Sequence, residues 1–405
     1  MKNKNIIYNN FISKQYSGNK INKNFVRDCP AILKKIKDNL DTVKDNFHSL
    51  SSKFNLKFKR KNFDKFKNFK TVAIIGMGGS ILGSEAIYYF LKNKIKKKFI
   101  FFNNIDNLKL SNLKNQKNLN KILFIIISKS GTTIETLSNF LALGVLKKNS
   151  KNIIVISEKS DNPLYILAKK NNLYHVEHKK YIGGRYSILT EVGIVPAYLM
   201  GLNIVKLRKN LLDHFKPKNQ NFLKDSAIKL ASILKTNKLK NIVLFNYSSR
   251  LNKFLYWNQQ LIAESLGKKR KGFLPTISKA PKDHHSLLQL YLDGPKDKLF
   301  YIFSDETNEK AKTIIKNKDA KLSLLNNKNL NQIKIAQKNA FKKTLQRNNI
   351  PHREFIIKKF NEETLGELFS YFILEIAIIG KLSGINPFNQ PAVDQVKIDT
   401  KKFLS

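Results

Sequence analysis

The chain has 405 residues, 42% of them hydrophobic, and its 75 Lys and Arg residues against 29 Asp and Glu residues give a formal charge of +46. This length predicts about two to three domains. The basic residues are spread along the whole chain and do not form one stripe, so we expect no specific nucleic-acid partner. A single cysteine, Cys29, excludes an internal disulfide framework and is typical of a reducing compartment.

Targeting and membrane segments are not predicted. The basic N-terminus lacks the uninterrupted apolar run of a signal peptide, and no stretch reaches the roughly 18 apolar residues of a membrane span. The longest candidate, LFSYFILEIAIIG, contains Glu375 and predicts a buried helix. We therefore expect a cytoplasmic protein with no membrane partner.

Apolar strands alternate with helical stretches along most of the chain. Residues 1–65 are polar and Lys-rich, and they predict a helical N-terminal arm. The strands TVAIIG, KFIFFN, KILFII and NIIVIS follow, with LYHVEH as a possible edge strand, and a second series contains NIVLFN and KLFYIF. The alternation predicts an α/β fold with two doubly wound parallel-sheet domains, at 66–210 and 211–380, and a helical C-terminal tail at 381–405.

The segment ISKSGTTIET, at 127–136, places five hydroxyl side chains directly after a buried strand. Gly131 permits a tight turn, and the first backbone N–H groups of the next helix lack intrahelical partners. The segment also supplies side-chain hydroxyls and one positive charge, from Ser128, Lys129, Ser130, Thr132, Thr133 and Thr136. Such a loop is typical of an anion site, but an N-capping cluster without a ligand fits the pattern equally well.

A glycine-rich turn, GMGGSILG at 76–83, also follows a strand. It does not match the dinucleotide-binding pattern, because Ile81 occupies the position of the third glycine. A turn with Ser80 at a helix start still suits a sugar hydroxyl or a phosphate. Taken alone, this motif is a weak indicator of function.

Two further segments carry charged side chains beside glycines. In YIGGRYS, two glycines let the backbone approach a ligand, and Arg185 offers a fixed cationic fork, although a turn with a surface Arg is the simpler alternative. In NQQLIAESLG, Gln260 and Glu264 are four residues apart and share a helix face. Glu264 lies in the last turn, where the helix dipole disfavours a carboxylate by roughly 0.3–1 kcal/mol. A carboxylate in this unfavourable position is a modest indication of function. The basic residues at 268–270 offer a simpler explanation, because their charges compensate the carboxylate.

The adjacent residues His284 and His285 lie in KDHHSLLQL, in a chain with only seven histidines. A metal site would need further ligands, and the sequence shows no evident third and fourth ligand beside them. The segment therefore favours acid–base chemistry or an ordinary loop over metal binding.

Together these segments resemble the glucose-6-phosphate isomerase (phosphoglucose isomerase) family, which is built from two sugar-isomerase domains. The resemblance extends from about Thr71 to Lys402 and rests on GMGGSILG, SKSGTTIET, GGRYS, AESLGK, DHHSLLQ and NPFNQPAVDQVK. The hydroxyl-rich loop is shared by sugar-phosphate isomerase domains in general, whereas GGRYS and the C-terminal FNQ are more specific. Glu191, Ala392 and Asp394 depart from the usual residues of the family.

The resemblance implies interconversion of glucose 6-phosphate and fructose 6-phosphate in glycolysis and gluconeogenesis. Such proton transfers need a base, a positive charge near the oxyanion and an acid–base pair, and we expect no metal or other cofactor. A related isomerase that also accepts mannose 6-phosphate is the alternative, and a sugar-phosphate-sensing regulator is a weaker one.

The resemblance also implies roles for individual residues. Glu264 would move the proton between C2 and C1, Arg185 would stabilise the enediolate, and His285, aided by Lys397, would open the sugar ring. The implied substrate-binding residues are Gly79, Ser80, Ser128, Lys129, Ser130, Thr133, Thr136, Gly184, Gln260 and Gln390. The family implies a homodimer in which the histidine serves the site of the partner subunit.

Overall fold

The computed structural model describes residues 5–16, 19–306 and 314–405. Parts of the predicted N-terminal arm (1–4 and 17–18) and of the predicted second domain (307–313) lie outside the described residues. The strands are β1 (Ile6–Phe11), β2 (Thr71–Gly76), β3 (Lys98–Phe102), β4 (Ile122–Ile127), β5 (Ile153–Ser157), β6 (Tyr174–Glu177), β7 (Asn241–Asn246), β8 (Leu274–Lys279), β9 (Lys298–Asp305) and β10 (His352–Ile357). The helices are α1 (Asn19–Asn39), α2 (Arg60–Phe63), α3 (Leu82–Phe90), α4 (Asn107–Lys114), α5 (Ile134–Ala142), α6 (Pro163–Lys170), α7 (Glu191–Leu199), α8 (Ile204–Leu207), α9 (Gln220–Thr236), α10 (Asn252–Leu266), α11 (Leu288–Asp293), α12 (Leu330–Arg347), α13 (Glu362–Leu382) and α14 (Asp394–Leu404).

The first sheet has the strand order β3-β2-β4-β5-β6, and all neighbouring strands are parallel. Both of its faces are covered, because successive residues of β4 enter different apolar clusters: Leu123 and Ile125 enter one, and Phe124 and Ile126 the other. β3 and β4 flank β2 on opposite sides, so the strand order reverses between β2 and β4. Ligands of doubly wound sheets bind at the carboxyl ends of the strands beside such a reversal.

The second sheet has the order β1-β10-β9-β7-β8. β7 to β10 are parallel, which confirms the expectation of two parallel sheets. The structure differs from the predicted helical arm at β1, which pairs antiparallel with β10 at the edge of this sheet. Its sequence, IIYNNF, gives a weak strand signal because of its asparagines. Side-chain hydrogen bonds to β10 and α13 stabilise this strand. Asn9 Nδ2 donates to Glu354 Oε2 at 3.0 Å, and Tyr8 Oη donates to Glu367 Oε1 at 3.1 Å.

One apolar cluster connects the two sheets, and it includes Ile74 of β2, Leu244 of β7 and most of α13. α13 is the apolar helix predicted around Glu375, and that carboxylate is fully buried in an ion pair with Arg353, with Nη2 and Oε1 2.7 Å apart. No helix among the described residues is both long and apolar enough to cross a membrane. In the same interior α3 packs against α10, which brings the glycine-rich turn before α3 close to Glu264 near the end of α10.

Candidate active site

The hydroxyl-rich loop leaves the carboxyl end of β4, beside the switch point of the first sheet. Gly131 has φ +65°, and a Cβ there would lie 1.7 Å from Asn162 Oδ1, so this turn requires glycine. Ser128 Oγ accepts a hydrogen bond from the Gly131 N–H at 3.1 Å and lies 2.9 Å from Thr133 Oγ1. Thr133 is the N-cap residue of α5, but its side chain makes no capping bond. The first turn of α5 therefore has no side-chain cap, and its backbone N–H groups remain available to an anion.

The other predicted members of this loop differ in exposure. Ser130 is exposed, and its hydroxyl oxygen accepts from both the N–H and the hydroxyl of Thr132. Thr136 is fully buried, and its hydroxyl has no partner among the described residues. Lys129 Nζ lies 3.7 Å from Glu158 Oε1, and burial lowers the pKa of the ammonium group although Glu158 opposes the shift. The loop therefore offers hydroxyl groups and the ammonium group of Lys129, whose contact with Glu158 is long for an ion pair.

Backbone contacts join this loop to the two glycine motifs. Gly76 ends β2, and a Cβ there would lie 3.0 Å from the carbonyl oxygen of Ile127 at the end of β4. A Cβ on Gly79 would lie 2.2 Å from the carbonyl carbon of Gly184 and 2.4 Å from the amide nitrogen of Arg185. The two glycine turns thus touch backbone to backbone, with buried Ser80 directly after Gly79. The absence of a side chain at Gly79 is what allows Arg185 to reach this position.

We expect Gly79→Ala to destabilise the protein, because its new methyl group would overlap the Gly184–Arg185 peptide. Overpacking of this kind costs about 1–3 kcal/mol of unfolding free energy, and urea denaturation would measure it. Gly184→Ala is the matched control for stability, since Gly184, like Gly79, does not have a left-handed backbone conformation, and a Cβ added there would meet only Gly79 Cα, at 4.0 Å. Its unfolding free energy should stay close to that of wild type. A Gly79→Ala protein as stable as wild type would contradict the close contact.

Arg185 is the centre of the arrangement and is buried, with only 1% of its side chain exposed. All five of its N–H groups have acceptors within the protein. These acceptors are Ser265 Oγ (2.8 Å, from Nε), Glu264 Oε1 (2.7 Å, from Nη1), Gln390 Oε1 (2.8 Å, from Nη1), the Pro387 carbonyl (2.6 Å, from Nη2) and the Asn389 carbonyl (3.2 Å, from Nη2). The guanidinium therefore binds two other parts of the chain, the end of α10 and residues 387–390, around one positive charge.

Glu264 is held on both sides of its carboxylate. Oε1 pairs with Arg185 Nη1, and Oε2 accepts from Gln260 Nε2 at 2.8 Å, as expected for residues one helical turn apart. The side chain of Glu264 is 21% exposed, so solvent reaches the carboxylate. Gln260 in turn touches the first glycine motif, because a Cβ on Gly78 would lie 2.8 Å from Gln260 Nε2. Glu264 is thus an oriented, accessible carboxylate beside a buried cation.

The structure adds residues that the sequence pattern did not single out. Tyr186 Oη donates to the Pro387 carbonyl at 2.9 Å and lies 2.8 Å from Ser265 Oγ, and Lys268 Nζ contacts two backbone carbonyls in the same region. In the sequence, Tyr186 and Ser265 are marked only by their positions, directly after Arg185 and Glu264. Most of the other partners are backbone carbonyls, which no side-chain pattern reveals.

His285 and Lys397 lie apart from this cluster. His285 is exposed after the short turn Lys282–His284, and Lys397 lies on exposed α14, where it pairs with Asp394 at 3.1 Å. Neither makes a hydrogen bond or ion pair with Arg185 or Glu264 in the described part of the chain. His284 differs from its neighbour, because its Nε2 lies 2.7 Å from Tyr247 Oη and burial lowers the pKa of the ring. Within the described residues no group of three His, Cys, Asp or Glu side chains is placed to hold a metal ion.

Structures of two other proteins share this fold. A hypothetical protein from Thermus thermophilus has a TM-score of 0.80 at 22% identity, and the match covers 99% of this chain and 100% of that one. A glucose-6-phosphate isomerase from Chlamydia trachomatis has a TM-score of 0.79 at 16% identity, with coverages of 99% and 88%. At these identities the likeness establishes the architecture alone.

Sequence relatives are more similar. A glucose-6-phosphate isomerase of Methanocaldococcus jannaschii is 34% identical over 349 residues, which cover 83% of this chain and 85% of that protein. One of Campylobacter jejuni is 32% identical over 376 residues, with coverages of 89% and 91%. The family model described as phosphoglucose isomerase matches residues 5–404. The chain therefore belongs to the phosphoglucose isomerase family.

Proposed function

We propose that this protein interconverts glucose 6-phosphate and fructose 6-phosphate, the reaction of its family, with Glu264 as the base. The observation that carries the assignment of the base is the carboxylate itself, which is accessible, fixed by Gln260 and paired with a buried guanidinium. A base at this place can remove the C2 proton of the open-chain aldose and return it at C1 of the enediolate. Each carboxylate oxygen keeps a second lone-pair direction for that proton.

Arg185 would stabilise the negative charge that develops on the enediolate oxygens. Because all five of its N–H groups already have acceptors, it acts through its charge or by exchanging Glu264 or Gln390 for the substrate oxygen. Because Arg185 is buried, water screens its charge less than at the surface, and its attraction to the enediolate oxygens is stronger. Gln260 donates to Glu264 and Gln390 accepts from Arg185, so both lie beside the proposed catalytic groups and would bind the hydroxyl groups of the sugar.

The hydroxyl-rich loop would hold the phosphate. Ser128, Ser130, Thr133 and Lys129 supply donors at the uncapped start of α5, and Ser80 and Thr136 lie on neighbouring buried positions. The loop is connected to the site of Glu264 by two close backbone contacts, Gly76 with Ile127 and Gly79 with the Gly184–Arg185 peptide. Binding energy from the phosphate can therefore hold C1 and C2 in register with the base.

We further propose a cytoplasmic homodimer with shared active sites. The exposure of His285 and of α14, which carries Lys397, supports this, because side chains that do not reach the site of their own chain remain free to reach that of a partner. His285 would then open the sugar ring in the site of the partner subunit. Lys397 would assist from the C-terminal tail.

Subunit mixing would test the shared site. We expect His285→Ala and Glu264→Gln proteins to be almost inactive alone and to regain activity after unfolding and refolding together. In a mixed dimer, one of the two sites would combine an intact Glu264 with an intact His285, whereas the other would lack both. Confirmed mixed dimers without activity would place each site within one chain.

The function itself is tested with purified protein and glucose 6-phosphate, with fructose 6-phosphate followed by a coupled enzymatic assay. We expect turnover that persists after treatment with excess EDTA, because the proposed steps are proton transfers by Glu264 and His285, and Arg185 supplies the positive charge that a metal would otherwise provide. Absence of fructose 6-phosphate would refute the proposed function. Activity that is lost with EDTA and restored by one divalent metal would refute this mechanism.

A further inference from the structure

A lysine one turn beyond Glu264 connects α10 to the C-terminal segment, residues 385–390, which supplies Gln390. Lys268 Nζ donates to the Asn386 carbonyl at 2.6 Å and to the Ser265 carbonyl at 2.9 Å. Its ammonium group therefore bridges the end of the helix that carries the base and the segment that lies across Arg185.

The C-terminal segment is bound largely through its oxygen atoms. Three of the five acceptors of Arg185 come from it: the Pro387 carbonyl, the Asn389 carbonyl and Gln390 Oε1. Phe388 adds ring contacts with Phe47 and Tyr186, at centroid distances of 5.4 and 5.2 Å. Arg185 and Lys268 thus bind neighbouring carbonyls of one segment from two sides. Release of one contact would loosen the acceptors that orient the other cation.

The surroundings of Lys268 make its charge sensitive to pH. Burial lowers the pKa of its ammonium group to about 8, the nearby charge of Arg185 acts in the same direction, and Glu264 opposes both. Its direct acceptors in α10 and in the C-terminal segment are neutral carbonyls. A cation with a lowered pKa is charged below that pKa and neutral above it, so the charge-assisted contact is complete below about pH 8 and weakens above it.

We propose that Lys268 is a positioning residue for the isomerase reaction. By holding Asn386, it keeps the C-terminal segment against Arg185 and so keeps the guanidinium aligned with Glu264. The inference rests on the proposed function, because it concerns the same site.

Three variants test it: Lys268→Met, Lys268→Arg and, as a matched control, Lys269→Met. Lys269 is the exposed neighbour, and its Nζ also donates to a backbone carbonyl, that of Gly384, at 3.3 Å. We expect kcat of Lys268→Met to fall about tenfold or more, since small misplacements of catalytic groups can cost up to about 100-fold. KM should change little, because the phosphate loop is untouched. Lys268→Arg should restore most of kcat, and Lys269→Met should resemble wild type.

The pH profile separates this role from a purely structural one. Wild-type kcat should decline above about pH 8 as Lys268 loses its proton. In Lys268→Arg the decline should move to higher pH, because a guanidinium stays protonated throughout this range. Lys268→Met should lack this step.

Thermal unfolding of each variant provides the check on folding. A folded Lys268→Met protein with wild-type kcat would overturn the proposal, as would an alkaline decline that Lys268→Arg leaves in place. If Lys268→Met does not fold, the profile of Lys268→Arg decides alone. If wild type itself does not convert glucose 6-phosphate, the proposed function fails instead.

Discussion

Replacing Glu264 by Gln should lower kcat by about 10²–10⁴-fold, the usual contribution of a general base. The amide keeps the size of the side chain and can still accept from Arg185, but it cannot take up a proton. KM should move little, because the hydroxyl-rich loop still holds the phosphate. Exchange of deuterium from solvent into C2 of the substrate should disappear together with turnover, since both depend on the same proton abstraction. Steady-state kinetics and NMR of the substrate would measure the two effects.

Glu363→Gln is a suitable control for this experiment. Glu363 also lies on a helix and pairs with a cation, Lys209, at 3.2 Å, but that pair is near the surface and contributes little to stability. The control should keep wild-type turnover and exchange. A folded Glu264→Gln protein with exchange and turnover near those of wild type would show that Glu264 is only a structural carboxylate at a helix end.

Much of the fold could be predicted because buried parallel strands are continuous apolar runs. The strands β2 to β5 of the first sheet follow directly from such runs, whereas the edge strand β6, with the sequence YHVE, gives a weaker signal. β8 and β10 carry weaker signals. β8 contains Pro275, and β10 begins HRE, with Arg353 and Glu354 fully buried and paired with Glu375 and Lys342. Charges can be buried in a strand when partners from elsewhere neutralise them, and a local sequence pattern does not show those partners.

Some contacts of the candidate site could be predicted from residue spacing, and others could not. Gln260 and Glu264 share a helix face, so their hydrogen bond follows from spacing alone. The proximity of Arg185 to Glu264 depends on two glycine turns that touch through their backbones, and it follows from no local pattern. The roles of His285 and Lys397 stay predictions, because both side chains lie apart from the cluster within a single chain.

Replacing Arg185 by Lys should be almost as damaging as the loss of Glu264, although it preserves the charge. Lysine has three N–H donors on a flexible stem, whereas the guanidinium fills five acceptor positions in a fixed plane. At least two acceptors would therefore lose their partner, and each buried unpaired group costs about 1–3 kcal/mol. We expect a lower unfolding free energy and a fall in kcat of about 10²–10³-fold, the range for losing one oriented oxyanion donor. Urea denaturation and steady-state kinetics would measure the two effects.

Arg250→Lys separates the effect on stability from the effect on catalysis. The guanidinium of Arg250 also donates to a backbone carbonyl, that of Phe90, and it stacks on Phe360 at 3.8 Å. This control should lose stability for the same physical reasons and keep its kcat. If Arg185→Lys retained most of its kcat, the charge alone would suffice at this position. The alignment of Arg185 by Gln390 and the backbone carbonyls around it would then be irrelevant to the reaction, and Lys268 would have no positioning role to play through them.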